Sequence, residues 1–138
     1  MKYSILITSV ILLLTSCSND DSNQSIITRL QQEWHFTSFF GAEGPQCDFN
    51  RGDMIYTFSV SELLVEDNYL EDDICTEIWY QGGTYDYEVR TIDGTEFLFV
   101  DDREEGRISF MDNDLLIESW VKSSGDIIDD APTFRLVL

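Results

Sequence analysis

The stretch Thr84-Tyr85-Asp86-Tyr87-Glu88-Val89-Arg90-Thr91-Ile92-Asp93-Gly94-Thr95-Glu96-Phe97-Leu98-Phe99-Val100 decides the fold of this chain. From Thr84 to Thr91, Tyr85, Tyr87 and Val89 alternate with Asp86, Glu88 and Arg90. That period of two sets an apolar face against a polar one, the mark of a half-buried strand. Asp93-Gly94 is the strongest hairpin signal in the chain, because both residues accept the positive φ that a tight two-residue turn demands. Glu96 to Asp101 returns as the second arm.

The same alternation continues outward on both sides. Upstream, Glu33 to Phe40 reads as a strand and Gly41 to Asp53 as a loop punctuated by Gly41, Gly44, Pro45 and Gly52. Met54 to Ser61 sets Met54, Tyr56, Phe58 and Val60 on one face, and a short third strand, Glu62 to Asp67, follows directly. Asn68 to Asp73 is an acidic turn, and Cys75 to Tyr80 is ambiguous in type. Downstream, a charged turn leads into Gly106 to Met111, and Asp112-Asn113-Asp114 turns the chain into Leu115 to Lys122. A loop from Ser123 to Pro132 precedes the last strand, Thr133 to Leu138. Only Ser25 to Gln32 reads as helical, one or two turns ahead of the first strand.

Eight short strands joined mainly by tight turns would leave two open edges, which invite aggregation. Closure removes them. The expected architecture is therefore all-β, an eight-stranded antiparallel up-and-down β-barrel with a short N-terminal helical turn; a flat or two-layer sandwich is the alternative. Taking one face per strand puts Trp34, Phe36, Tyr56, Phe58, Tyr85, Tyr87, Phe97, Phe99, Phe110 and Phe134 inside, with Val60, Val89, Ile108, Leu115, Ile117 and Leu136. A barrel of eight strands is just wide enough to be filled by side chains or to hold one small ligand. So many aromatic rings favour a largely filled lumen.

At the N-terminus, Lys2 precedes an apolar run from Ser4 to Leu14, followed by Leu14-Thr15-Ser16-Cys17. The run is too short to span a bilayer, which takes about 20 residues, and has the layout of a secretory signal. The quartet resembles the lipobox of bacterial lipoproteins, which implies acylation of Cys17 and removal of residues 1–16. Residues 17–25 contain no apolar residue beyond the cysteine and read as a disordered, acylated tether. The barrel domain then covers residues 26–138. Asp20-Asp21 resembles the surface-export signals of some lipoproteins of diderm bacteria, so the expected address is the outer membrane, with the leaflet left open. Two or more acyl chains would hold the domain there stably.

Charge narrows the partners. The chain has 8 Lys and Arg against 27 Asp and Glu, and loss of Lys2 with the leader leaves 7 against 27, a formal charge of −20. Nucleic acid, which needs a basic footprint, is excluded. Anionic headgroups are repelled too, so contact with the membrane runs through the acyl chains. With Cys17 committed to lipid, Cys47 and Cys75 remain as an even pair in an oxidising compartment and are expected to form a disulfide. Two cysteines with the single His35 and no short ligand spacing make a metal site the weaker reading.

A helical turn, a first strand carrying Trp34, a glycine-bearing loop with Cys47-Asp48, the aromatic strand Tyr56-Thr57-Phe58 and the Gly83-Thr84-Tyr85 strand together resemble the lipocalin-like domains of bacterial lipoproteins over residues 26–138. The resemblance implies an antiparallel barrel with an internal pocket. It also implies a late-strand arginine stacked on the first-strand tryptophan, here Arg135 on Trp34, a cation–π contact; an Arg135 that faces outward and balances acidic neighbours is the alternative. The chain departs from that pattern at Gln32, where such domains place a glycine two residues before the tryptophan.

Catalysis finds little support. No nucleophile motif such as G-x-S-x-G occurs, and His35 between Trp34 and Phe36 belongs to the opposite, solvent-facing side. The acidic runs Asp101 to Glu105 and Asp126 to Asp130 read as turns and lack the spacing of a calcium loop. No cofactor is expected. Two functions follow: a lipoprotein barrel that binds a small hydrophobic ligand through Trp34, Tyr56, Tyr85, Tyr87 and Phe97, or a surface module that binds a protein or glycan through an exposed aromatic patch around Trp79-Tyr80 and Trp120.

Overall fold

The computed structural model describes residues 21–41, 48–69 and 80–138. One helix, α1 (Asp21–Leu30), precedes eight strands: β1 (Glu33–Phe40), β2 (Met54–Phe58), β3 (Glu62–Asp67), β4 (Gly83–Ile92), β5 (Thr95–Val100), β6 (Arg103–Met111), β7 (Asp114–Glu118) and β8 (Thr133–Val137). They form a closed barrel in sequence order. Every neighbouring pair is antiparallel, and β8 closes on β1 through Phe36 opposite Leu136 and Phe39 opposite Phe134. All eight strands therefore have a partner on both sides, which is why so acidic a chain needs no further guard on its edges.

The turn chemistry sets the hairpins. Asp93 and Gly94 adopt φ 51° and 78°, and Asp101 and Asp102 adopt 48° and 61°. Two consecutive positive φ values match the twist of the flanking strands, and aspartate is among the few non-glycine residues that tolerate them. The charged turn expected before Gly106 thus shrinks to two residues, and β6 begins at Arg103. The helix begins earlier than expected, so residues 21–25 are helical rather than disordered.

The core joins Leu30 of α1 to the inward faces of the strands, with Trp34, Phe36, Leu115 and Leu136 almost wholly excluded from water. Phe36 packs its ring 4.8 Å from Phe49, and Trp34 lies 5.9 Å from Phe110. α1 crosses one end of the barrel and is pinned there. Arg29 lies 4.1 Å above the Phe110 ring and donates from Nη2 to the Asp112 carbonyl at 2.9 Å.

Three expected lumen residues lie elsewhere. Val60 occupies the tip of the β2–β3 turn, where Ser59 N–H donates to the Glu62 carbonyl, and is 84% exposed. Phe97 and Phe99 sit on the outer wall: Val89 is paired with Leu98 and Tyr87 with Val100, so Leu98 and Val100 turn inward. The run Phe97-Leu98-Phe99-Val100 is apolar on both faces, which leaves hydropathy unable to choose between them. Phe97 and Phe99 nevertheless stay only 4% and 6% exposed. Arg90 lies 3.9 Å over the Phe99 ring, covering it with a long side chain whose head stays in water.

Candidate functional site

Inside the barrel, the tyrosines gather with one carboxylate. A register shift between Leu98 and Phe99 in the β5–β6 pairing leaves Glu105 as the extra residue, with Phe99 opposite Glu104 and Leu98 opposite Gly106. Such a bulge re-aims a side chain. Glu105 accepts a 2.5 Å hydrogen bond from the Tyr80 hydroxyl and pairs with Arg103 Nε at 2.8 Å. Tyr80 packs 4.7 Å from the Tyr85 ring, and the Tyr85 hydroxyl donates to the Gln81 carbonyl at 2.6 Å. Burial raises the hydroxyl of Tyr56 well above the ordinary tyrosine range, with Asp67 and Glu105 adding to the effect. Burial followed by the Glu105 hydrogen bond raises Tyr80 as well. At the other end Tyr87 donates to the Ser59 carbonyl at 2.5 Å.

Of these groups Tyr56, Tyr80 and Glu105, together with Phe58, Leu63 and Leu98, line an internal space of ≈ 10 Å³. That is about the room for one water, far below the few hundred Å³ of a ligand pocket. Trp34, Tyr56 and Tyr87 are core residues, Tyr85 is a half-buried one near Tyr80, and Phe97 lies outside the lumen. The expected pocket residues are thus spent on packing.

The large concavity is on the outer wall. Phe40, Leu116, Glu118 and Thr133 face outward from β1, β7 and β8, and the segment that joins β7 to β8 brings Trp120, Ile127, Ile128 and Ala131 against them. Together with Gly41 and Asp129 they enclose ≈ 520 Å³. A shift in the β1–β8 pairing between Phe36 and Ser38 turns Phe39 inward and Phe40 outward into this groove. The joining segment is fastened at several points. Ser123 N–H and Oγ–H donate to Glu104 at 2.6 and 2.8 Å, Trp120 Nε1–H donates to Thr133 Oγ1 at 3.0 Å, and Val121 bridges Ile127. Glu118 receives both Nε and Nη2 of Arg107, at 2.7 and 2.8 Å, so its charge is matched. Sequence reasoning singled out Trp120 but missed Phe40, Leu116, Ile127 and Ile128. The signal was there in two isoleucines within an otherwise polar and acidic connection, and in Leu116 breaking the alternation between Leu115 and Ile117.

The remaining expectations divide. Arg135 does not reach Trp34: it projects outward from β8 and pairs with Asp114 Oδ2 at 2.5 Å. Phe134 and Leu136 take the inward positions, and two adjacent residues of one strand cannot share a face. At the end of the barrel crossed by α1, the cation over a ring is Arg29 and the ring is Phe110. His35 faces outward as expected, yet it is buried, 8% exposed. It sits between Ile55 and Val137 of the flanking strands, with Nε2 3.3 Å from Glu33 Oε1 and Nδ1 without a hydrogen-bond partner among the described residues. Cys17, Cys47, Cys75 and Trp79 lie outside the described residues. Asp86, Glu88, Asp101 and Asp102 border an acidic hollow with Tyr87, but among the described residues no cluster of His, Cys, Asp or Glu has the arrangement to hold a metal ion.

Comparison with protein-family models, with characterised proteins and with solved structures yields no match.

Proposed function

We propose that this chain is a lipid-anchored interaction module, a barrel acylated at Cys17, held at the outer membrane and working through its outer wall. The observation behind this reading is the contrast between a lumen with ≈ 10 Å³ to spare and an external groove of ≈ 520 Å³. A carrier of hydrophobic molecules needs the reverse. The lipocalin-like resemblance then describes the frame, with the internal pocket packed shut. A disulfide between Cys47 and Cys75 would tie together the two segments that follow β1 and β3. The reading assigns no catalytic residue and no cofactor.

The groove also bears on what is bound. The Trp120 Nε1–H is spent on Thr133 Oγ1, and Glu118 is occupied by Arg107. Few polar groups are left to recognise a sugar, whereas the apolar side chains of Phe40, Leu116, Ile127 and Ile128 suit a protein surface.

The test uses the native acylated protein in its own membrane, with a photo-crosslinking side chain in place of Ile127 or, as a control, of Val60. Specific adducts from position 127 and none from position 60 are expected. Equal labelling from both positions would remove the groove from the account. A small apolar molecule released only on unfolding would restore the carrier reading.

A further inference from the structure

The groove on the outer wall has a charge pattern that selects its occupant. We propose that it docks a cationic segment of a partner protein, with an apolar side chain seated among Phe40, Leu116, Trp120, Ile127 and Ile128 and a Lys or Arg beside Asp129. The inference rests on the outer-wall reading above and adds the chemistry of the partner.

Three observations lead to it. First, the groove walls are apolar and three of their members are poorly covered: Ile127 is 67%, Phe40 44% and Ile128 43% exposed. Isoleucines are seldom left so open side by side in a loop whose other residues are Ser, Gly, Asp, Ala131 and Pro132, and a neighbouring cluster of this kind marks a contact surface. Secondly, the two carboxylates that line the groove differ. Glu118 is neutralised by a two-pronged contact with Arg107, whereas Asp129 makes no ion pair with any described residue and stands at the lip with Asp130 next to it. Thirdly, the whole domain is strongly acidic, with 27 Asp and Glu against 8 Lys and Arg in the chain. A field of that sign speeds the approach of cations and repels anions.

Those same facts dismiss other occupants. A second copy would bring its own large negative charge to the contact. The segment 18–25 behind Cys17 contains no hydrophobic side chain to seat and carries Asp20 and Asp21. A cationic, apolar partner satisfies both the walls and the lip.

The experiment measures binding of three short labelled peptides of equal length by fluorescence anisotropy to the full acylated protein in uncharged detergent micelles, with empty micelles as the blank. One peptide alternates Lys and Leu, one Lys and Ser, one Glu and Leu. The Lys/Leu peptide is expected to bind at least about tenfold more tightly than either of the others, since one seated aliphatic side chain is worth that much. Ile127→Glu should abolish the preference although it adds a charge that attracts lysine, and Ile127→Ser should weaken it in the same direction. Asp129→Asn should weaken binding by about two- to fivefold and flatten its salt dependence. Equal binding of Lys/Leu and Lys/Ser peptides that ignores Ile127→Glu would reduce the effect to diffuse charge and overturn both the inference and the groove. Glu/Leu binding as tightly as Lys/Leu, with Ile127→Glu abolishing both, would overturn the cationic partner and leave the groove standing. No binding by any of the three peptides would overturn the inference as well.

Discussion

The indole Nε1 of Trp34 donates a hydrogen bond to the carbonyl of Leu30 at 3.0 Å, fastening α1 across one end of the barrel. Leu30 and Trp34 are both essentially unexposed, so the bond is sheltered from water and ties the only helix among the described residues to the first strand. Trp34→Phe removes the donor and part of the ring. It is expected to destabilise the domain by about 2–3 kcal/mol, combining a buried hydrogen bond with lost packing. Chemical denaturation checks this, and an unchanged midpoint would mean the helix is not held by this contact.

Arg29 lies over Phe110, whereas Arg135 pairs with Asp114 and does not reach Trp34. A double-mutant cycle on Arg29→Ala and Phe110→Leu should show a coupling of about 0.5–1 kcal/mol, as for a cation–π contact at a partly exposed site. The cycle on Arg135→Ala and Trp34→Phe should be additive within about 0.5 kcal/mol. Their side chains lie on opposite faces of the wall.

Gly106 has no room for a side chain. Its φ is +144°, and an added Cβ would fall 2.4 Å from the Glu118 carbonyl oxygen and 2.7 Å from Ser119 Cα, both backbone atoms that cannot swing aside. Gly106→Ala should cost about 3 kcal/mol or more, from overpacking together with backbone strain. Gly125, at φ +88° with open space around it, isolates the backbone part: Gly125→Ala should cost about 1 kcal/mol. A thermal melt of each variant separates the two.

Alkaline pH should unfold the domain earlier than its charge alone suggests. Tyr56, Tyr80 and Tyr87 all have hydroxyls raised above the ordinary tyrosine value of 10.0, each chiefly by burial. A group that holds its proton more tightly when folded contributes its full stability below the unfolded value. That contribution is lost as pH rises toward the folded value, because the unfolded chain then releases the proton first. The melting temperature should therefore fall progressively above pH ~10, with tyrosinate absorbance appearing together with unfolding. Tyr80→Phe should make the fall shallower, and a fall of equal steepness would assign it to the acidic surface.

Reduction should lower the melting temperature by about 10 °C or more if Cys47 and Cys75 are bridged, since closing a loop of that length contributes roughly 3–4 kcal/mol in a domain of this size. Thiol labelling before and after reduction gives the independent readout. Two cysteines that label at once in the untreated protein would dismiss the bond.

Much of the fold is legible in local chemistry. Asp93-Gly94 declares a hairpin because few other pairs accept its dihedrals, and the alternation in β4 names Tyr85, Tyr87 and Val89 as inward before any partner is known. Both are properties of a single strand or turn. The limits appear wherever a residue's face depends on its neighbours. Phe97 and Leu98 are equally apolar, and pairing with β4 alone turns Leu98 in. Phe40 and Glu105 follow register shifts that reverse the alternation, and only the lone Gly106 inside a charged strand hinted at the second of these. Glu105, read as part of a turn, became an internal carboxylate for the same reason.

The sequence by itself determined that this is an acidic all-β domain of eight strands, because charge, period and turn residues are carried by the residues themselves. The tertiary structure decided what the barrel has to offer a partner. Closure between β1 and β8 fills the lumen with the aromatic rings, and the β7–β8 connection, fastened to Glu104 and Thr133 from a distance in the chain, raises Ile127 and Ile128 into a groove outside it. Those contacts exist only between segments that folding brings together, so no stretch of the chain could announce them.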